Sequence, residues 1–150
     1  MANPLCQIRL TEERLEAPPE IADMASGALV DFWGVVRELE DDRTIEGIAY
    51  EVHRKMALHQ LEKIAEEAMA DFPIQRLWVL HRIGFVPAGE ASLLVRVACP
   101  HRGEAFQASQ WIVEELKRRV PIWKHPRFRN DQAAKNAGLT AKTASIPQRT

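Results

Sequence analysis

Two amphipathic stretches, each closed by a proline, restrict what this chain can fold into. Between Arg54 and Phe72 the apolar residues Leu61, Ile64, Ala65, Ala68, Met69 and Phe72 recur at helical spacing and share one face. Pro73 ends that helix, because its ring clashes with the preceding turn and it has no amide hydrogen. From about His101 to Val120, the residues Ala105, Phe106, Ser109, Ile112, Val113 and Leu116 line a second helical face, and Pro121 closes it.

The segments around these helices carry strand patterns. Gly27 to Val36 is rich in β-branched and aromatic residues and reads as a mostly buried strand, with Gly34 marking a bulge or a close backbone approach. Glu38 to Arg43 is charged and lacks a helical period, which predicts a solvated loop. Ile45 to His53 alternates and is expected to pair back on the first run. Gln75 to Ile83 and Ala91 to Cys99 form an expected antiparallel pair joined through the turn-rich Gly84 to Glu90. Cys6 to Leu10 suits a short first strand, and Pro18-Pro19-Glu20 the start of a short helix to about Ser26. Pro126 to Thr150 has few large apolar residues and no period. The expected organisation is therefore one domain over 1–125 and a flexible tail over 126–150. Two long helices against antiparallel strands, without strict β-α alternation, predict an α+β fold.

Bulk composition removes several function classes. At 150 residues the chain can bury a core without disulfides or a structural metal. No apolar run approaches the roughly 18 residues of a membrane span. The N-terminus, Met1-Ala2-Asn3-Pro4-Leu5-Cys6-Gln7, has no basic start followed by an apolar stretch, so neither a secretory signal nor a transit peptide is expected and a cytoplasmic location follows. Cys6 and Cys99 stand far apart without CxxC or Cys/His spacing, which suits reduced, structural thiols. A net charge of −1 provides no global field to recruit nucleic acid, so any anion site must be local.

Three places could carry chemistry. At the junction Cys99-Pro100-His101-Arg102-Gly103 a strand passes into a helix, whose first amides and partial positive charge, joined by an arginine fork and an imidazole, suit a phosphate or carboxylate. It also reads as an ordinary helix start. Lys117, Arg118, Arg119 and Lys124 concentrate four cations within eight residues around Trp123, which suits an anion with an aromatic part. On composition alone the plainer reading takes precedence: basic residues complementing the helix C-terminal dipole, with Trp123 packed on the core. Arg37 follows the first strand and, taken singly, is a strand-end arginine available to Glu38 or Asp41. His53, His59, His81 and His125 lack metal-ligand spacing, so no metal is expected. GxSxG, P-loop and GxGxxG motifs are absent.

Taken in order, Gly27-Ala28-Leu29-Val30-Asp31-Phe32-Trp33-Gly34-Val35-Val36-Arg37, Tyr50-Glu51-Val52-His53-Arg54-Lys55-Met56-Ala57, His81-Arg82-Ile83-Gly84, Pro100-His101-Arg102 with Ala105-Phe106, and Lys117 through Pro121-Ile122-Trp123-Lys124 resemble the signature blocks of the molybdopterin synthase large, catalytic subunit family. The blocks cover residues 27 to 124, about two thirds of the chain. The resemblance implies an α/β hammerhead fold with an additional antiparallel β subdomain, assembled as a homodimer with one small ubiquitin-like subunit at each end. It implies a sulfurtransferase with no cofactor of its own. The carrier's Gly-Gly tail, as a thiocarboxylate, delivers sulfur to cyclic pyranopterin monophosphate, and two transfers form the dithiolene of molybdopterin.

On the matching positions the resemblance implies catalytic roles for Lys117 and Lys124, and substrate binding by Arg37, His101, Arg102 and Phe32. Thiocarboxylate and phosphate both arrive as anions, so fixed positive charge in a partly dry pocket is what the chemistry needs. Many relatives follow the second lysine with an acidic residue and later a Gly and Trp, whereas Lys124 is followed here by His125-Pro126-Arg127-Phe128. His53 replaces a common tyrosine, a change expected to concern packing. The altered stretch motivates an alternative, a non-catalytic docking module for a ubiquitin-like sulfur carrier. A small nucleic-acid binder is the third reading.

Overall fold

His53 holds an extended backbone and accepts a hydrogen bond from the Met56 amide at its Nδ1, which caps helix α1, Arg54–Asp71. The second helix, α2, spans Arg102–Arg119. In this computed structural model the description covers residues 5–19 and 24–129, together with the backbone of Gln148–Arg149. Strand β1 is Cys6–Thr11, β2 Ala28–Val35, β3 Leu39–Glu40, β4 Arg43–Val52, β5 Arg76–Arg82, β6 Gly84–Pro87, β7 Ala91–Cys99, β8 Ile122–Phe128 and β9 Gln148–Arg149.

Four strands form the first sheet in the order β1-β5-β7-β2, with β1 parallel to β5 and the other pairs antiparallel. Both helices pack on one face. They bury Ala57, Leu61, Ile64, Ala65 and Ala68 from α1 and Ala105, Ala108, Ile112 and Leu116 from α2 against Leu77, Val79, Val95 and Val97. Small alanines at the seam let helix backbones approach closely, and the leucines and isoleucines fill what remains. On the opposite face the chain after β1 sends Leu15 against Leu80 and Leu94, and Pro18 O accepts from the buried Arg96. The second sheet is built on β4, which pairs antiparallel with β3, β6 and β8, while β9 adds to β8. The fold is thus α+β, with two sheets and two helices.

Several expectations needed correction. The strand over 27–36 exists, but no residue of β2 is fully buried, because it is an edge strand flanked only by β7 among the described residues. Residues 38–43 form a hairpin rather than a loop: Asp41 and Asp42 take φ of 50° and 61°, turning β3 into β4. The strand over 45–53 does not pair back on β2. A register irregularity at Gly34/Val35 ends β2, and the β3 hairpin carries the chain into the second sheet. Residues 84–87 are a strand, β6, rather than part of a turn. The boundary placed at 125/126 falls inside β8, where Pro126 stands opposite Ile48 at a point without a second neighbouring strand among the described residues. Of the helix expected over 18–26, residues 20–23 lie outside the description and the described residues Pro18, Pro19, Met24, Ala25 and Ser26 are not helical; most of the expected tail lies outside the description.

Candidate functional site

Helix α2 returns over β7 and β2 after the turn at Pro100, so it runs parallel to β2. That direction sorts the candidate residues. Ala28 stands opposite Cys99 in the sheet, and a side chain at Gly27 would run into Pro100 O, so the start of β2 lies against the start of α2, where His101 and Arg102 sit exposed. His101 occupies the N-cap position but makes no side-chain cap hydrogen bond, which leaves the first-turn amides available to an anion. At the other end, Val35 stands opposite Ala91, and Val36 exchanges backbone hydrogen bonds with Gly89 and Glu90. Arg37 therefore leaves the sheet at the end where α2 finishes.

Lys117 lies in the last turn of α2 and is exposed. Only Val120 and Pro121 separate α2 from β8, so Lys124 follows within ~20 Å of Lys117 by chain reach. Lys124 pairs with Tyr50 of β4 and is half-buried. Cross-strand partners project to the same side of a sheet, so Lys124 and Tyr50 share one face. The Tyr50 hydroxyl donates to Ser92 Oγ at 3.1 Å, and Ser92 Oγ donates to Gly34 O at 3.4 Å, which ties the second sheet to the end of β2 and β7 from which Arg37 emerges. His81 packs edge-on against Tyr50 at 5.4 Å, and its Nδ1–H donates to Arg82 O at 2.7 Å. Burial holds the His81 pKa down at about 4, so the ring is neutral in this core.

The four cations noted from composition divide sharply. Arg118 pairs with Glu115 at 2.5 Å, and Arg119 with Glu67 at 2.8 Å and Glu115 at 3.3 Å. The Arg118 hydrogen bond is the main cause of the lowered Glu115 pKa. Lys117, Lys124, Arg37, His101 and Arg102 have no ion pair among the described residues, and Arg37 does not use Glu38 or Asp41.

One chain thus gathers Arg37, Lys117 and Lys124 at one end and His101 with Arg102 at the other. Arg102 and Lys117 are ~22 Å apart along a single rigid helix, too far for one pterin-sized ligand to touch both. Phe32 lies midway, half-buried, in a groove of about 350 Å³ lined by Val30, Phe32, Phe106 and Val113 among others. Sequence reasoning missed the His53 cap and the Tyr50–Ser92–Gly34 connection. The cap had a local signal, an imidazole immediately before an amphipathic run, whereas the connection joins residues far apart in the chain.

Two helices on one face of a four-stranded mixed sheet, and a second sheet tied to one end of it, define an α+β protein whose cations at the ends of α2 include several without an ion pair among the described residues. The MoaE protein family matches residues 9–119. The molybdopterin synthase catalytic subunit of Pyrococcus abyssi is 42% identical over 109 residues, covering 73% of this chain and 74% of that protein. The one from Emericella nidulans is 39% identical over 108 residues, covering 72% of this chain and 55% of its own length. Among solved structures, molybdopterin synthase from Staphylococcus aureus superimposes with a TM-score of 0.76 at 29% identity, covering 81% of this chain and 91% of that one. The MoaE protein from Burkholderia ambifaria gives 0.67 at 26% identity, covering 89% and 98%. The chain belongs to the MoaE family, the catalytic subunits of molybdopterin synthase.

Proposed function

We propose that this chain transfers sulfur from the thiocarboxylated C-terminus of a small ubiquitin-like carrier to cyclic pyranopterin monophosphate, forming the dithiolene of molybdopterin. The observation that carries this reading is the contrast at the end of α2: Arg118 and Arg119 are neutralised by glutamates, while Lys117, Lys124 and Arg37 have no ion pair among the described residues. Unpaired cations around a partly covered surface stabilise anions more strongly than the same charges in bulk water. The half-buried Lys124 holds the thiocarboxylate and substrate charge. Lys117 exchanges protons as the cyclic phosphate opens and oxygen leaves, and it steadies the intermediate.

The pterin phosphate is assigned to Arg37, His101 and Arg102. Because the last two lie ~22 Å from Lys117 on one helix, the working site combines the lysine end of one protomer with the His101 and Arg102 end of another. Phe32 forms an apolar wall between the two groups. The enzyme operates in the cytoplasm as a homodimer with one carrier subunit at each end, which supplies sulfur from another polypeptide.

The test mixes the purified chain with thiocarboxylated carrier and cyclic pyranopterin monophosphate. Molybdopterin should form, and Lys117→Ala should slow its formation about 1000-fold with the fold intact. Carrier binding without product in the unaltered protein would replace this reading with the non-catalytic docking module.

A further inference from the structure

Ser92 of β7 is the extra residue of a β-bulge: Gly34 stands opposite Leu93 and Val35 opposite Ala91, which leaves Ser92 without a partner on β2. A bulge re-aims a side chain. The Ser92 hydroxyl accepts from the Tyr50 hydroxyl at 3.1 Å and donates to Gly34 O at 3.4 Å. Both residues are buried, and Tyr50 belongs to the apolar cluster that holds Val36, Ile48, Val86 and Leu93. A phenylalanine would bury the same ring without needing a partner, so the Tyr50 hydroxyl adds direction rather than apolar burial. Three strands of the first sheet hold that ring: His81 of β5 meets it edge-on at 5.4 Å, Ser92 of β7 accepts its hydrogen bond, and Gly34 of β2 takes up the bond from Ser92.

We propose that Tyr50 and Ser92 are positioning residues that fix Lys124 relative to Arg37, so that the carrier's thiocarboxylate is presented to the phosphate-anchored pterin in reacting geometry. The inference rests on the roles given to these two cations above. Tyr50 is the partner of Lys124 across β4 and β8, on one face of the second sheet. On its other side stands Gly84 of β6, which has no side chain. Arg37 follows Val36, whose amide donates to Glu90 O and whose carbonyl accepts from Gly89, just beyond the bulge. The two hydroxyls therefore run from the strand pair that carries Lys124 to the strand end that releases Arg37.

Apolar packing alone leaves such a junction room to settle in more than one arrangement, whereas a buried and satisfied polar chain admits one. The consequence for rate is larger than for binding. Each reactant keeps its own cation when the two sheets shift, but a misplacement of about 1 Å between the reacting groups can cost about 100-fold in the chemical step. Neither Tyr50 nor Ser92 needs to touch a reactant for this, and both are buried away from solvent.

Steady-state kinetics with thiocarboxylated carrier and cyclic pyranopterin monophosphate test this in Tyr50→Phe and Ser92→Ala, each of which removes a single oxygen. Either change should lower kcat about 10- to 100-fold and leave both KM values within about twofold. The double variant should be no slower than the slower single one, because one chain of hydrogen bonds is broken in every case. In a Lys124→Ala background Tyr50→Phe should cost no more than about twofold, whereas in an Arg102→Ala background it should keep its full effect. A merely structural role would not produce that difference, since loss of folded protein scales every background alike. Far-ultraviolet spectra and thermal unfolding verify that the variants are folded at the assay temperature, and if Tyr50→Phe is not, Ser92→Ala carries the same comparison. Unchanged kcat in both variants, an equal loss in all backgrounds, or a raised KM at constant kcat would overturn the proposal and leave the reading of the reaction in place. A wild type that forms no molybdopterin would remove that reading, and the positioning roles with it.

Discussion

The two ends of α2 carry positive charge in opposite settings. At the start, His101 leaves the first-turn amides uncapped, and Arg102 adds its fork to the helix's positive pole. At the finish the pole is negative, and three consecutive basic residues face it, two of them tied down by Glu115 and Glu67. One end presents its backbone amides without a side-chain cap. The other has one lysine without an ion pair among the described residues, Lys117, next to a strand that supplies Lys124. A cluster of like charges is informative only once its internal pairing is known: of these four cations, Arg118 and Arg119 have carboxylate partners, and Lys117 and Lys124 have none among the described residues.

If the finish of α2 carries the chemistry and the start only binds, damage to them must differ in kind. Lys117→Ala should lower kcat by about 1000-fold with little change in KM, the size of loss typical of removing one preorganised electrostatic group. The middle of β2 joins the ends, and Asp31→Ala there leaves the buried Arg96 guanidinium without its carboxylate. Denaturant unfolding should show a loss of about 3 kcal/mol, since an uncompensated buried charge is costly.

The support beneath Lys124 is sensitive to acid. His81 is neutral when folded, with its pKa held at about 4, whereas an unfolded histidine titrates near 6.5. The unfolded chain therefore binds the extra proton first, and stability falls as pH drops from about 6.5 to 4, by on the order of 3 kcal/mol in full. Thermal unfolding across that window should show the slope, and His81→Phe should flatten it. The smallest effect belongs to the start of α2: Arg102→Ala should raise KM about tenfold and nearly preserve kcat, the loss of one charge-assisted hydrogen bond. A kcat defect of the Lys117 size in Arg102→Ala would erase the distinction between the ends.

Local periodicity made the helices and the central strands legible. Leu61, Ile64 and Ala68, and likewise Ile112 and Leu116, sit at the spacing that buries them, and the prolines at 73 and 121 mark the stops within a residue or two. What escaped was pairing. Nothing in Ile45 to Val52 says whether it joins β2 or β8, and β8 was hidden by Pro126 and by alternating charge. Exposure escaped as well: Phe32 and Trp33 have the composition of a core strand, and only the sheet order reveals that β2 is an edge. Arg37, His101, Arg102, Lys117 and Lys124 were visible as cations next to breaks in structure. Their division between two ends of one helix was not, because it follows from the direction in which α2 crosses the sheet.

The most direct measurement of the shared site is complementation between two damaged homodimers. Lys117→Ala and the double variant His101→Ala/Arg102→Ala, unfolded together and refolded as a mixture, should regain about one quarter of the wild-type rate at low substrate, since half of the dimers are hybrids and each hybrid has one intact site of two. A rate no greater than the average of the two separate variants would contradict the account and return all of the chemistry to a single chain.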